Sequence, residues 1–206
     1  MAHTADASER TAVIACGALA GRVRSVATRR AWPVAVYPLP ASLHNRPQRI
    51  ADAVRELAIT LQSRHRVVAL AYADCGTYGA LDAVCRSLGL TRLPGETCYD
   101  VLAGRSMMER LFAREPGTYV LTDFLVKSFH ATVWKGLGLD RRPELRDDYF
   151  GNYRRVVWLA EARSAALDQR ALAAATALGL PLEVIDVGVN RLERALETLI
   201  KNAARA

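Results

Sequence analysis

Hydrophobic and polar positions along this chain follow two rhythms: short apolar runs of buried-strand type, and longer stretches with apolar residues at helical spacing. Thr11-Ala12-Val13-Ile14-Ala15 predicts a first strand, and Leu19 to Thr28 a first helix. Val34-Ala35-Val36-Tyr37 predicts a second strand, stopped by Pro38 and Pro40, with a loop over Ala41-Ser42-Leu43-His44-Asn45-Arg46. Pro47 suits the first turn of a helix, where its missing N–H is no loss. That helix runs to about Ser63, with Ile50, Val54, Leu57 and Leu61 on one face. Arg66-Val67-Val68-Ala69-Leu70-Ala71 predicts a third strand and Ala80 to Leu88 the helix after it.

The second half repeats the alternation. A short strand is expected over Leu90–Leu93, then a helix from about Val101 to Arg114. After the turn Glu115-Pro116-Gly117 come a strand at Tyr119–Leu121 and a helix from Phe124 to Lys135 bearing Leu125, Phe129 and Val133. Residues 136–151, rich in Gly, Arg and Asp, predict a functional loop or short helices. Val156–Leu159 and Leu182–Ile185 predict the last two strands, followed by helices near 163–178 and 190–204. Such alternation argues an α/β fold of parallel strands in βαβ units with right-handed crossovers, in three layers. The strands make either one long sheet or two Rossmann-like halves around a cleft. With no low-complexity linker, the expectation is a disordered lead-in at 1–10 and a single compact domain at 11–206, its halves meeting near residue 115.

Composition narrows the function classes. Hydrophobic residues make up 51% of the 206, which argues a globular chain, and no run approaches the roughly 20 apolar residues that span a bilayer. The N-terminus lacks the charged-then-apolar build of a signal peptide, so a cytoplasmic protein is expected. The net charge of +7 comes from scattered arginines without interleaved aromatics. That favours a solvated basic face or an anionic ligand over specific nucleic-acid binding.

Chemistry concentrates at strand ends. Cys16 and Cys75 each stand in a Cys-Gly turn between an apolar strand and a helix, and Cys98 and His44 fall in segments leaving the same sheet edge. In open α/β sheets that edge is where ligands bind. The separations, 28, 31 and 23 residues from Cys16 through His44 and Cys75 to Cys98, contain no CxxC pair. Topology rather than spacing therefore carries the metal reading. Zinc on three thiolates, with His44 or an exchangeable ligand in fourth place, is chemically sensible. So is a [4Fe–4S] cluster with three thiolate ligands. Isolated buried thiols, or a reactive cysteine without metal, are the alternatives. Cys85, inside an amphipathic helix, reads as a small core hydrophobe.

Asp74 and Asp123 stand at strand ends, where carboxylates orient a ligating imidazole or act as general bases; the plainer reading is that each caps the following helix. Arg46 beside Asn45 is a candidate anion clamp for a substrate. Tyr149 and Tyr153, in the polar-aromatic stretch Arg141–Tyr153, share a face if that stretch is helical, and are candidates for a substrate-covering lid. No G-x-G-x-x-G or P-loop motif supports nucleotide binding.

Several segments together resemble the domain-of-unknown-function family 1638: Val13-Ile14-Ala15-Cys16-Gly17-Ala18-Leu19, Leu39 to Pro47, Asp74-Cys75-Gly76-Thr77, Cys98-Tyr99, Glu115-Pro116-Gly117-Thr118, Leu121-Thr122-Asp123-Phe124 and Tyr149-Phe150-Gly151-Asn152-Tyr153. Tyr78 stands where the family pattern often has a second glycine, which stiffens the loop after Cys75. The resemblance implies a link by gene company to corrinoid-dependent one-carbon metabolism. The resulting expectation is a metal-binding enzyme or accessory protein of methyl transfer, in the one case a zinc-dependent methyltransferase. It would use a small-molecule substrate and a corrinoid protein or methyltransferase as partner. The alternative is an iron–sulfur redox protein, or one that delivers a cluster or cofactor without catalysis of its own.

Overall fold

The computed structural model describes residues 11–205; the lead-in expected at 1–10, and His3 with it, lies outside the described residues. The chain falls into two compact units, Met1–Val101 with Leu192–Ala206, and Leu102–Arg191. In each, helices alternate with parallel strands, as an α/β fold of βαβ units requires.

The first unit contains β1 (Thr11–Ala15), α1 (Ala20–Arg29), β2 (Val34–Pro38), 3-10 turns at Ala41–Asn45 and Pro47–Arg49, α2 (Ile50–Gln62), β3 (Val68–Ala71), α3 (Ala80–Leu88), β4 (Thr91–Arg92) and the start of α4 (Cys98–Ala103). Its four strands are all parallel, in the order β2-β1-β3-β4. The two inner strands are buried almost throughout, which is why their sequences run apolar without alternation. Edge strand β2 is only partly buried, and its last residue, Pro38, is exposed. Against them α2 buries Ile50, Val54 and Leu61, three of its four expected face residues; Leu57 stays partly exposed. Burial of each such aliphatic side chain stabilises by about 1.5–3 kcal/mol, enough to hold the strand ends rigid.

The second unit comprises α5 (Arg105–Arg114), β5 (Thr118–Thr122), α6 (Asp123–Phe129), a π-helical turn at His130–Trp134, a 3-10 turn at Pro143–Leu145, α7 (Arg146–Phe150), β6 (Arg155–Ala160), α8 (Ala165–Leu178) and β7 (Leu182–Asp186). Its strands are again parallel, in the order β5-β6-β7. Trp158 of the central strand is fully buried in a core with Leu121, Phe129, Phe150 and Leu167. The chain ends in α9 (Asn190–Ala203), most of which belongs to the first unit.

Two helices differ from the sequence pattern. The helix expected over 101–114 is two, broken at Gly104, whose φ of +91° only glycine adopts readily. A Cβ there would sit 2.9 Å from the guanidinium carbon of Arg191. The helix expected over 124–135 changes at His130 to π geometry, with the Ser128 and Thr132 hydroxyls bonding carbonyls one turn back. Among the described residues no helix is long and apolar enough to cross a membrane.

Candidate thiol–imidazole site

The strand order fixes where the site lies. From β1 the chain moves to β2 on one side, then crosses to β3 on the other, so the sheet reverses direction between β1 and β3. The crevice beyond the carboxyl ends of two such strands is the ligand position of open α/β sheets. Cys16 directly follows β1 and Cys75 follows β3 by four residues. Cys16 is locked to the neighbouring strand by its own N–H, which donates to the Ala71 carbonyl at 3.1 Å.

His44 reaches this point because Gly17 allows it. The chain leaving β2 passes so close that a Cβ on Gly17 would lie 2.5 Å from both the Ala41 nitrogen and the Leu39 oxygen. Any side chain at 17 would push this backbone away, and the Ala41–Asn45 turn with it. Within that turn His44 Nδ1 lies 3.0 Å from the Ala41 carbonyl oxygen. A carbonyl can only accept, so Nδ1 carries a proton and Nε2 faces the thiols. Nε2 is 3.6 Å from Cys16 Sγ. Hydrogen bonds to Cys16 and then Cys75 raise His44 from 6.5 to about 11, against the opposing effect of burial.

The Cys75 loop is held in an unusual conformation. Cys75, Gly76, Tyr78 and Gly79 all have positive φ. Asp74 is what holds them: its carboxylate accepts from the Thr77 hydroxyl at 2.6 Å, the Tyr78 N–H at 3.0 Å and the Gly79 N–H at 3.1 Å. Burial works to raise the Asp74 carboxyl, but the Thr77 hydroxyl and these N–H groups outweigh it and keep the carboxyl below its ordinary value. Its lone pairs are thus occupied in shaping the loop. The loop is also tied to the segment that brings Cys98, through Asp74 N–H to Gly95 O at 3.1 Å and Cys75 N–H to Glu96 O at 2.7 Å.

Cys98 is the first residue of α4 and is half-buried. Desolvation, then the charges of Cys75 and Cys16, push its thiol well above the ordinary value. Tyr72 completes the group. It is fully buried, its ring stacks on His44 with centroids 6.0 Å apart and planes 13° apart, and desolvation followed by the Cys16 and Cys75 charges raises its phenol.

One pair of donors, Cys16 and His44, has the spacing of two zinc ligands. With zinc at about 2.3 Å from sulfur and about 2.05 Å from nitrogen, a tetrahedral angle separates the two ligand atoms by about 3.6 Å. The Cys16–His44 distance has that value. Among the described residues, however, no group of three or more His, Cys, Asp or Glu side chains already stands arranged to hold an ion.

Arg46 apart, the other sequence candidates lie in the second unit or in α3. Arg46 is exposed, in the loop whose Pro47 packs 3.5 Å from where a Gly76 Cβ would be. Asp123 belongs to the second unit, where its carboxylate accepts from Trp158 Nε1 at 3.0 Å and from the Glu161 and Ala162 N–H groups at 3.2 Å. The helix cap expected of it is supplied by Thr122, whose hydroxyl accepts from the Leu125 N–H. Tyr149 and Tyr153 do not share a helical face, because α7 ends at Phe150. Tyr153 packs edge-on against Tyr119 at 5.3 Å, whereas Tyr149 is half exposed. Cys85 is buried in α3 as expected, its thiol raised first by desolvation. Tyr72 was not among the sequence candidates; the available signal was a lone aromatic hydroxyl ending a wholly apolar strand run.

The fold is a parallel α/β fold of the open-sheet class, with thiols and an imidazole at the point where strand order reverses. More particularly, residues 38–196 match the family model described as protein of unknown function DUF1638, and the chain belongs to that family. No curated protein and no solved structure matches it.

Proposed function

We propose that Cys16, Cys75 and Cys98 bind zinc as thiolates, with His44 Nε2 as fourth ligand, in an enzyme or accessory protein of corrinoid-linked methyl transfer. What supports the metal reading is the 3.6 Å approach of His44 Nε2 to Cys16 Sγ at the strand-end crevice, with the Cys75 loop tied by backbone hydrogen bonds to the segment that leads to Cys98. The His44 Nδ1–H bond to Ala41 O is the kind of second contact that fixes the tautomer of a ligating imidazole. The methyl-transfer context rests on the family resemblance and its gene company.

When bound, zinc would keep deprotonated at neutral pH a substrate thiol that displaced His44 from the fourth position, ready to accept a methyl group. The chain's own residues would do the rest. Asp74 holds the Cys75 loop in register, and the exposed guanidinium of Arg46 would take a carboxylate or phosphate of a small-molecule substrate. Asp123, Tyr149 and Tyr153 lie in the second unit and take no part in this reading, whose partner would be a corrinoid protein or methyltransferase. All four cysteines are free, which suits the reducing cytoplasm.

Three thiolates would equally hold a [4Fe–4S] cluster, in a redox or cluster-delivery protein. Anaerobic purification followed by zinc, iron and sulfide analysis separates the two. The expected result is about one zinc per chain, lost in Cys75→Ser. Full metal retention by that variant would remove the reading, and iron with stoichiometric sulfide would replace it with the cluster.

A further inference from the structure

Tyr78 is the most exposed large hydrophobic side chain among the described residues, 96% open to solvent. Its backbone is left-handed, at φ +51°, where glycine sits freely and a tyrosine only at a cost. Nor is it a loose end. Asp74 accepts its N–H at 3.0 Å, and the neighbouring Thr77 is buried. The Asp74 bonds would hold a glycine there equally well, so they account for the loop and not for the tyrosine. A strained residue whose ring packs on nothing in its own chain is compensated when a second molecule covers it. Tyrosine and arginine are the side chains on which protein interfaces most often depend.

Three segments of the first unit meet around this loop. Pro47, in the turn before α2, packs 3.5 Å from where a Gly76 Cβ would lie, and Glu96 O accepts from the Cys75 N–H at 2.7 Å. These segments and the first turn of α2 carry Arg46, Arg49, Asp52 and Glu96, all exposed. None of the four makes an ion pair with any described residue, although Arg49 and Asp52 are neighbours at helical spacing. Two cations and two carboxylates balance here, whereas the whole chain carries +7. Copies of so basic a chain repel one another over most of their surface, and a balanced face is where they can approach. A partner surface of one sign would match only half of it. A two-fold axis instead sets each residue against a different residue of the same patch, so cation meets carboxylate twice.

We propose that Tyr78 and the charges flanking it form a self-association face, occupied by a second copy of this chain about a two-fold axis. Arg49 of each copy pairs with Asp52 of the other, around two mutually covered Tyr78 rings. The face borders the loop that carries Cys75, so association brings a second chain to the rim of the crevice. The proposal goes beyond the metal reading and does not rest on it.

Sedimentation velocity of the full chain under reducing conditions tests this. The parent is expected to dimerise with a dissociation constant of roughly 10–100 µM, as suits a small face. Tyr78→Gly should weaken association by about 10–100-fold. In dilute solution, where both are monomers, that variant should melt with the parent or a few degrees (~2–5 °C) above it. Arg49→Asp and Asp52→Arg should each be monomeric alone, because like charges then face one another across the axis. Their equimolar mixture should dimerise again, since one copy presents two carboxylates and the other two guanidinium groups. A parent that stays monomeric to about 200 µM would overturn the proposal. A dimer indifferent to Tyr78→Gly and Arg49→Asp would overturn it by placing the contact on another face, and so would a mixture that fails to associate. A Tyr78→Gly chain that melts well below the parent would show that the ring already packs within its own chain, and would overturn it too.

Discussion

Asp74 shows how much of this site is built by residues that need never touch a ligand. It sits one position before Cys75, and its carboxylate gathers the Thr77 hydroxyl and the Tyr78 and Gly79 N–H groups. Cys75 and Tyr78 are held in left-handed backbone that non-glycine residues adopt at a cost of about 1–2 kcal/mol. Those bonds offset the strain. Asp74→Ala leaves two N–H groups and a hydroxyl short of an acceptor, and should cost about 2–3 kcal/mol in urea unfolding. It should also weaken zinc binding although no ligand is altered; a variant as stable as the parent would show that the loop keeps its shape by other means. At this scale the sequence was informative about residue type and poor about role. A carboxylate beside a strand-end thiol is visible in the chain, but which groups share its lone pairs depends on a turn with four positive φ angles. Gly17 is similar: its place after Cys16 is plain, yet the need for glycine comes from residues 39 and 41, which only folding brings within 2.5 Å.

Between elements, the ion pairs of the second unit tie helix to sheet. Glu183 on β7 accepts from Arg155 on β6 at 2.5 Å and from Arg114 at the end of α5 at 2.7 Å. Burial works to raise the Glu183 carboxyl, but the two guanidinium groups outweigh it and hold the carboxyl below its ordinary 4.5. A carboxyl depressed in the folded state contributes stability above its unfolded value, and that contribution disappears as pH falls through the folded one. Glu183→Gln should therefore lower stability at pH 7 by under about 1 kcal/mol, the pair being partly solvated. The gap between variant and parent should close below pH 4.5, the ordinary value of this group. Urea midpoints taken from pH 3 to 7 (about four values) test this, and a gap that stays constant would contradict it. The elements themselves were largely legible, because buried parallel strands read as unbroken apolar runs and the helices as periodic ones. The failures have local causes. The break at Gly104 and the π turn at His130 arise from a backbone angle and from hydroxyls competing for carbonyls, neither of which alters the apolar period.

Over the whole molecule, the first unit is discontinuous in the chain. Its sheet comes from residues before Val101, and its last helix from Leu192 onward. Leu192, Leu196 and Leu199 of α9 are all but fully buried, and Glu193 and Glu197 pair with Arg29 and Arg30 of the α1 end. Removing residues 192–206 should strip three buried leucines from this unit, at about 1.5–3 kcal/mol each. The truncated chain is expected to lose cooperative thermal unfolding of the first unit, followed by circular dichroism, and a parent-like melt would refute this. Periodicity marked the C-terminal helix well, but nothing in its pattern says which unit it joins. That depends on which apolar face remains uncovered once ninety intervening residues have folded.

That discontinuity bears on how the protein is born. At ribosomal speeds of about 5–20 residues per second, Cys16, Cys75 and Cys98 are all translated several seconds before α9 exists. The intervening unit, being contiguous, is free to fold first. Throughout that interval the nascent thiols lack their finished surroundings, so a metal centre there would be completed only once α9 has been made.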